Sequence, residues 1–198
     1  MRLSAIKQTL SDIVELTTED GSVFFIRTAF LQSINPAEIV AGAKFEAGKE
    51  EEIVDSGFAF AAERKAEEYL ARCEQCRAGL EKKLAQKGYS KKAVKTALDF
   101  LEEKKLLDDA RFSYCWLRSH TITKPQGRIR LLSELMSRGI QREDAKKALD
   151  LFFEENEEIQ LCRRAMEKAV RSGKKDEKLI KYMIDSGFSY KMIFSLLN

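Results

Sequence analysis

Residues 131–149 read LLSELMSRGIQREDAKKAL, and this stretch decides which fold the chain can adopt. Apolar residues stand eight, four and three positions before Gly139, and others stand six, nine and ten positions after it. These spacings place the apolar residues on one face of an α-helix, once on each side of the glycine. The stretch therefore predicts two amphipathic helices joined by a tight turn at Gly139.

The same pattern occurs three times along the chain, and it is marked by three turn glycines: Gly88, Gly139 and Gly187. They lie 51 and then 48 residues apart, and each has the same apolar frame on both sides. Glycine suits the residue that follows a helix, because that position often adopts a left-handed backbone conformation. Ser90 and Ser189 come soon after two of these turns and are natural N-caps for the next helix.

A further helical stretch precedes each helix-turn-helix pair, over 60–73, 108–121 and 157–171. The chain is therefore predicted to be mainly α, with three tandem three-helix repeats. Because one such repeat cannot bury a full core, we expect the repeats to stack in an elongated, curved array. The predicted segments are an N-terminal segment over 1–57 and repeats over 58–107, 108–155 and 156–198.

The N-terminal segment has a different pattern from the rest of the chain. Ile13–Thr17 and Val23–Arg27 are rich in β-favouring residues, and they flank Glu19-Asp20-Gly21. An Asp-Gly pair between two such runs is a strong hairpin signal. We predict a small β-hairpin here, supported by the helices that follow, because an isolated hairpin is only marginally stable. The helical pattern begins near Phe58.

Composition favours a helical protein without catalytic function. Hydrophobic residues make up 44% of the 198 residues and can form a core, while 34% charged residues and two prolines favour long solvated helices. No apolar run is long enough to span a bilayer, and four cysteines do not form a disulfide scaffold, so we expect a cytoplasmic protein with reduced thiols. The motifs GxxxxGK[ST], GxSxG and HExxH are absent and there is one histidine, so we expect no catalytic site, cofactor or metal.

Positive charge is concentrated in the middle of the chain. Residues 111–142 contain seven cations and one acid, Glu134, which gives this window a charge of +6 within a chain of net charge +3. Only Glu134 is spaced to pair with neighbouring cations, so the window is expected to be under-compensated and to meet a polyanion or an acidic protein surface. The predicted partner-binding residues are Arg111, Arg118, Lys124, Arg128, Arg130 and Arg138.

Residues 106–119 read LLDDARFSYCWLRS and open the second predicted repeat. They are followed by Lys124-Pro125-Gln126-Gly127, then by Arg130-Leu131, Glu134-Leu135 and Arg138-Gly139-Ile140. This succession resembles the RecX family of recombination regulators, whose members are also built of tandem three-helix units. The resemblance covers about 60–198 and weakens towards the C-terminus, where mainly the Gly-Phe-Ser turn and its apolar frame remain.

Membership in that family would imply a function and a partner. RecX-type proteins are non-catalytic, bind in the groove of a RecA filament on DNA, and limit its ATP hydrolysis, growth and strand exchange. The resemblance therefore implies a monomeric regulator of the RecA recombinase filament in recombination, DNA repair and the SOS response. A stacked helical array has the long surface that such binding needs.

Two other functions are compatible with the sequence. A helix, a glycine turn and a second helix also describe a helix-turn-helix unit, which would bind DNA directly. Cys73 and Cys76 form a CxxC pair, which is typical of a redox centre or half a zinc site, although structural cysteines explain it more simply.

Four further residues have both a structural and a functional interpretation. Asp108 and Asp109 are paired carboxylates that acid-base chemistry or Mg²⁺ binding could use, yet they stand where a helix begins and favour capping and a helix-dipole contact. Phe112 and Trp116 could stack on nucleic-acid bases, but aromatic residues four apart more often pack into a core. The structural interpretation is preferred for all four.

Overall fold

The N-terminal sheet of the computed structural model, which describes residues 1–197, has three antiparallel strands in the order β1-β2-β3. They are β1 (Leu3–Leu10), β2 (Ile13–Thr18) and β3 (Val23–Arg27). The predicted hairpin is confirmed as β2 and β3, and Gly21 in its turn has a φ of 84°. Strand β1 was not predicted, because only Leu3 of its side chains is buried and the alternation of apolar and polar residues is weak.

The rest of the described chain is helical, which confirms the prediction of a mainly α protein. Two 3₁₀ turns, Thr28–Phe30 and Pro36–Glu38, lead into the first helix. Within residues 1–197 there are nine α-helices: α1 (Ala47–Leu70), α2 (Arg77–Gln86), α3 (Lys91–Glu103), α4 (Asp109–Thr123), α5 (Arg128–Met136), α6 (Arg142–Glu155), α7 (Glu158–Arg171), α8 (Asp176–Asp185) and α9 (Tyr190–Leu197). None of these described helices is both long and apolar enough to cross a membrane.

Helix α1 begins at Ala47, well before the expected start near Phe58. Its first two turns, Ala47–Glu52, contain no buried residue, and Ile53 is the first side chain that enters the core. Because the apolar periodicity begins only there, the polar start of the helix carries no amphipathic signal.

The three turn glycines adopt the predicted conformation, with φ values of 88°, 85° and 89°. After each glycine the next amide donates to a carbonyl five residues earlier, as in the bond from Tyr89 to Leu84, which satisfies the end of the preceding helix. Ser90 caps α3 by accepting from the amide of Ala93, and the Ser189 hydroxyl accepts from the amide of Met192. The predicted helix-turn-helix pairs are confirmed.

The chain forms two compact units. Unit 1 comprises Met1–Cys73 and Leu80–Leu107, and unit 2 comprises Glu74–Gly79 and the chain from Asp108 onward. The core of unit 2 is built from apolar positions of the predicted frame, including Leu131, Leu135 and Leu149. Division into three repeats with the boundaries given above stays a prediction.

In unit 1 a buried ion pair joins the sheet to α1. The Nε of Arg27 in β3 donates to the Glu63 carboxylate at 2.8 Å, and the guanidinium also pairs with Asp12. Glu63 is fully buried, and burial raises the pKa of its carboxyl although the guanidinium opposes the shift. The guanidinium also lies 4.4 Å from the ring centre of Phe100. Arg27 therefore compensates the charge of a carboxylate that has no exposed surface.

Candidate partner-binding surface

The six predicted partner-binding cations all lie in unit 2, between α4 and the turn that follows α5. Arg130 and Arg138 share the Glu134 carboxylate, at 2.8 Å and 3.2 Å. The hydrogen bond from Arg138 lowers the pKa of Glu134 despite its partial burial, and Arg130 adds to the effect. The predicted pairing of both arginines with Glu134 is confirmed.

Two other cations have partners that are distant in sequence. The Nε of Arg111 donates to Glu74 at 2.6 Å, across 37 residues, and Arg128 pairs with Asp150, across 22 residues. The expectation that only Glu134 compensates this window is therefore wrong. Local spacing could not reveal these acids, because the fold brings them to the window from other segments.

Arg118 and Lys124 form no ion pair within residues 1–197, and both are exposed. The Arg118 guanidinium lies 5.8 Å from the ring centre of Tyr114, and Lys124 stands at the C-terminal end of α4. Arg128 and Arg130 keep 41% and 46% of their side chains exposed in spite of their ion pairs. Exposed pairs contribute only about 0–1 kcal/mol, so Arg128, whose partner Asp150 is also exposed, can exchange that acid for another anion.

Trp116 positions one of these cations. Its ring lies 4.3 Å from the Arg138 guanidinium and stacks on the His120 ring at 4.2 Å, while the His120 Nε2 contacts the Gln126 side chain at 2.8 Å. Trp116 and Phe112 are half-buried and pack against the core of unit 2, in line with their predicted structural role. Arg138 is thus held by a ring as well as by Glu134.

The paired carboxylates have structural partners. Asp108 caps α4, since its side chain accepts from the amide of Arg111 at 2.9 Å, as predicted. Asp109 accepts from the amide of Arg77 at 2.7 Å, a contact that the sequence did not indicate. Burial raises the pKa of Asp109, and the bond from the Arg77 amide opposes the shift.

The contact of Asp109 with Arg77 is one of two equivalent contacts. Arg77 and Arg128 are the first residues of α2 and α5, and Asp109 and Glu158 are the first residues of α4 and α7. The amide of Arg128 donates to Glu158 at 2.9 Å, in the same way as the amide of Arg77 donates to Asp109. Unit 2 therefore uses the same bond twice, at positions that correspond in the sequence repeat.

A second hydrogen bond lies beside each of these contacts, and its donor is a thiol in one case and an amide in the other. Cys76 Sγ donates to the carbonyl of Arg138 at 3.7 Å, and the amide of Gly127 donates to the carbonyl of Ser186 at 2.9 Å. Both donors precede the first residue of a helix, and both acceptors precede a turn glycine. We call each pair of bonds a repeat joint. The second joint places the basic start of α5 against the turn at Gly187.

The CxxC pair is divided between two environments. Cys73 is exposed and belongs to unit 1, whereas Cys76 is buried in unit 2 and takes part in the first repeat joint. Cys76 thus has a structural contact, consistent with the interpretation preferred from the sequence.

Comparison with known proteins identifies a family model and sequence relatives. A family model described as RecX, second three-helix domain, matches residues 108–149. Regulatory protein RecX of Treponema pallidum (strain Nichols) is 40% identical over 114 residues, which cover 58% of this chain and 70% of that protein. Regulatory protein RecX of Chlorobaculum tepidum is 32% identical over 122 residues, which cover 59% of this chain and 74% of that protein.

Solved structures share the fold. A crystal structure of regulatory protein RecX matches with a TM-score of 0.71 and 19% identity, covering 98% of each chain. RecX from Lactobacillus salivarius matches with a TM-score of 0.60 and 20% identity, covering 71% of this chain and 94% of that one. These likenesses concern the fold, and the sequence relatives establish the relationship. The chain belongs to the RecX family of regulatory proteins.

Proposed function

We propose that this chain binds the RecA recombinase filament on DNA and modulates it, in the direction of inhibition. The affected activities are ATP hydrolysis, filament growth and strand exchange in recombination and DNA repair. The observation that supports this most directly is the match of residues 108–149 to the second three-helix domain of RecX, since that segment contains all six cations. We further propose that the protein acts as a cytoplasmic monomer without a cofactor.

In this proposal Arg118 and Lys124 make the first contacts with an acidic surface of RecA or with DNA phosphates. Both are exposed and form no ion pair within the described residues, so an incoming anion displaces no acidic side chain. Arg128 follows by exchanging its exposed partner Asp150, and Arg130, whose own side chain is exposed, adds its charge to the contact. Complementary potentials of this kind raise the association rate and fix the orientation of a complex.

Charge reversal of the two uncompensated cations tests the surface. We expect the double variant Arg118→Glu/Lys124→Glu to reduce co-sedimentation with RecA filaments on single-stranded DNA at least about tenfold, because like charges would face each other at the interface. Lys7→Glu is the matched control, since Lys7 is an exposed cation of unit 1. Equal co-sedimentation of the double variant and the wild type would rule out this surface.

Direct DNA binding is a second candidate function, favoured by the outer face of α6. Arg142 and Lys146 in its first two turns are exposed and form no ion pair in the described chain, as a recognition helix requires. Tight binding to bare duplex DNA that weakens steeply with salt would support this candidate. Binding that requires RecA on the DNA would support the filament proposal instead.

A further inference from the structure

Two isoleucines of unit 2 are the most exposed large apolar side chains among residues 1–197. Ile122, in the last turn of α4, is 69% exposed, and Ile129, at the start of α5, is 72% exposed. Scattered exposed apolar residues are normal on a protein surface. These two lie only seven residues apart, so their Cα atoms are separated by no more than about 25 Å, and one bound segment can reach both.

Other parts of unit 2 hold the backbone on both sides of this short stretch. The Nη2 of Arg164 in α7 donates to the carbonyl of Thr121 at 3.1 Å and to that of Ile122 at 2.8 Å. The second repeat joint fixes the start of α5, where Ile129 lies. The two isoleucines therefore stand on a preorganised surface, and a preorganised surface loses less conformational freedom when a partner binds.

Three exposed cations lie next to Ile122. Arg164 uses only its Nη2, so its Nε and Nη1 have no acceptor among the described residues. The Nζ of Lys168 donates to the carbonyl of Thr123 at 2.8 Å, which occupies one of its three donors. Neither of these side chains, nor that of Lys124, forms an ion pair within residues 1–197. Capping the end of α4 thus leaves donors free for a carboxylate.

An aliphatic centre with a cationic rim fits an acidic protein segment better than DNA. Isoleucine has no ring for a base to stack on and no group that forms hydrogen bonds, whereas sites for single-stranded nucleic acid use aromatic stacking. The nearest rings in the sequence, those of Trp116 and His120, are half-buried and stack on each other. Protein interfaces, in contrast, combine an apolar centre with a polar rim.

We propose that this surface, the isoleucine face, binds an acidic segment of a partner protein. Apolar side chains of the segment pack on Ile122 and Ile129, and its carboxylates pair with Lys124, Arg164 and Lys168. The inference goes beyond the proposed function because it selects protein over DNA at this face, and it does not require the partner to be RecA.

Two peptides of equal charge test the need for apolar side chains. The fluorescein-labelled peptide EEILDEFLEE is titrated with the full chain and followed by fluorescence anisotropy. We expect saturable binding, with a dissociation constant on the order of 10⁻⁴ to 10⁻³ M. The peptide EESSDESSEE should bind at least about fivefold more weakly, because it has the same carboxylates and no apolar surface to bury.

Neutral substitutions in the protein separate the apolar contact from the charge. The double variant Ile122→Asn/Ile129→Asn should bind the first peptide at least about fivefold more weakly, while Leu10→Asn, at an exposed apolar residue of unit 1, should bind it as the wild type does. Binding of labelled oligothymidine should be no weaker in the double variant, because every cation is kept. Lys168→Glu should weaken peptide binding, because it places a like charge at the rim. Circular dichroism checks that each variant folds.

Several outcomes would overturn the proposal. They are the absence of saturable peptide binding, equal binding of the two peptides, and unchanged peptide binding to the double variant or to Lys168→Glu. Weaker oligothymidine binding in the double variant would assign the face to nucleic acid, and a wild-type dimer that the double variant dissociates would assign it to a second copy. None of these outcomes depends on RecA, so failure of this inference is distinguishable from failure of the filament proposal.

Discussion

Replacing Gly187 with alanine is expected to lower the free energy of unfolding of unit 2 by roughly 2–4 kcal/mol. Two costs add at this position. The φ of Gly187 is 89°, which a residue with a Cβ adopts only at a cost of roughly 1–2 kcal/mol. The new Cβ would also lie 2.5 Å from the amide nitrogen of Arg130. Since that atom belongs to the backbone, no rotation of a side chain relieves the overlap, and the second repeat joint must open.

Two more alanine variants separate these costs. Gly127→Ala adds only the overlap, because Gly127 has an ordinary φ of −79° and its new Cβ would lie 2.5 Å from the carbonyl carbon of Gly187. We expect this variant to lower the free energy of unfolding by roughly 1–3 kcal/mol. Gly173→Ala adds only the φ cost of about 1 kcal/mol, because its φ is 84° and its Cβ would meet no described atom within 4 Å.

Urea unfolding followed by tryptophan fluorescence measures all three variants. Trp116 is the only tryptophan of the chain and lies in unit 2, so its emission reports on that unit. Equal costs for Gly187→Ala and Gly173→Ala would contradict the close backbone approach at the joint.

Replacing Arg27 with methionine is expected to cost about 3–5 kcal/mol of the stability of unit 1. The substitution leaves Glu63 as a carboxylate with no exposed surface and no cation beside it. Removing one partner of a buried pair is costly for this reason, whereas removing both is often nearly neutral. The double variant Arg27→Met/Glu63→Leu should therefore recover most of the loss in urea unfolding followed by far-UV circular dichroism.

The stability lost in Arg27→Met should depend on pH, and the ionisation of Glu63 sets the direction of this dependence. Burial raises the pKa of Glu63, so the folded state binds a proton more tightly than the unfolded state. The stability of Arg27→Met should consequently rise as the pH is lowered from neutrality and fall as the pH rises through the folded pKa. Lys49→Met, which removes an exposed pair with Glu38, should change little. A pH-independent deficit in Arg27→Met would contradict the buried pair.

Local periodicity predicted most of the fold. The helix-turn-helix pairs around the turn glycines follow from apolar residues three and four positions apart, and a helix needs no distant partner to show that pattern. The hairpin of β2 and β3 was equally local, since its Asp-Gly turn lies between its two strands. Strand β1 and the first turns of α1 were missed because their side chains are mostly exposed, so no apolar periodicity marks them.

The candidate surface was predicted less completely. The pairing of Arg130 and Arg138 with Glu134 follows from the i, i+4 spacing in and just after α5. The acids of Arg111 and Arg128 and both repeat joints come from segments that are far apart in sequence, so only the folded chain brings them together. One sequence signal could have revealed the joints. Asp109 and Glu158 are acids at the first residue of their helices, in corresponding repeats.

The RecA ATPase assay tests the proposed function most directly. The rate of ATP hydrolysis by RecA on single-stranded DNA is measured with increasing amounts of this protein, with Arg118→Glu/Lys124→Glu and Lys7→Glu in parallel. We expect the wild type and Lys7→Glu to reduce the rate at amounts stoichiometric with RecA or below, and the double variant to reduce it much less. An unchanged rate with the wild type at stoichiometric amounts would contradict the proposal that this chain regulates the RecA filament.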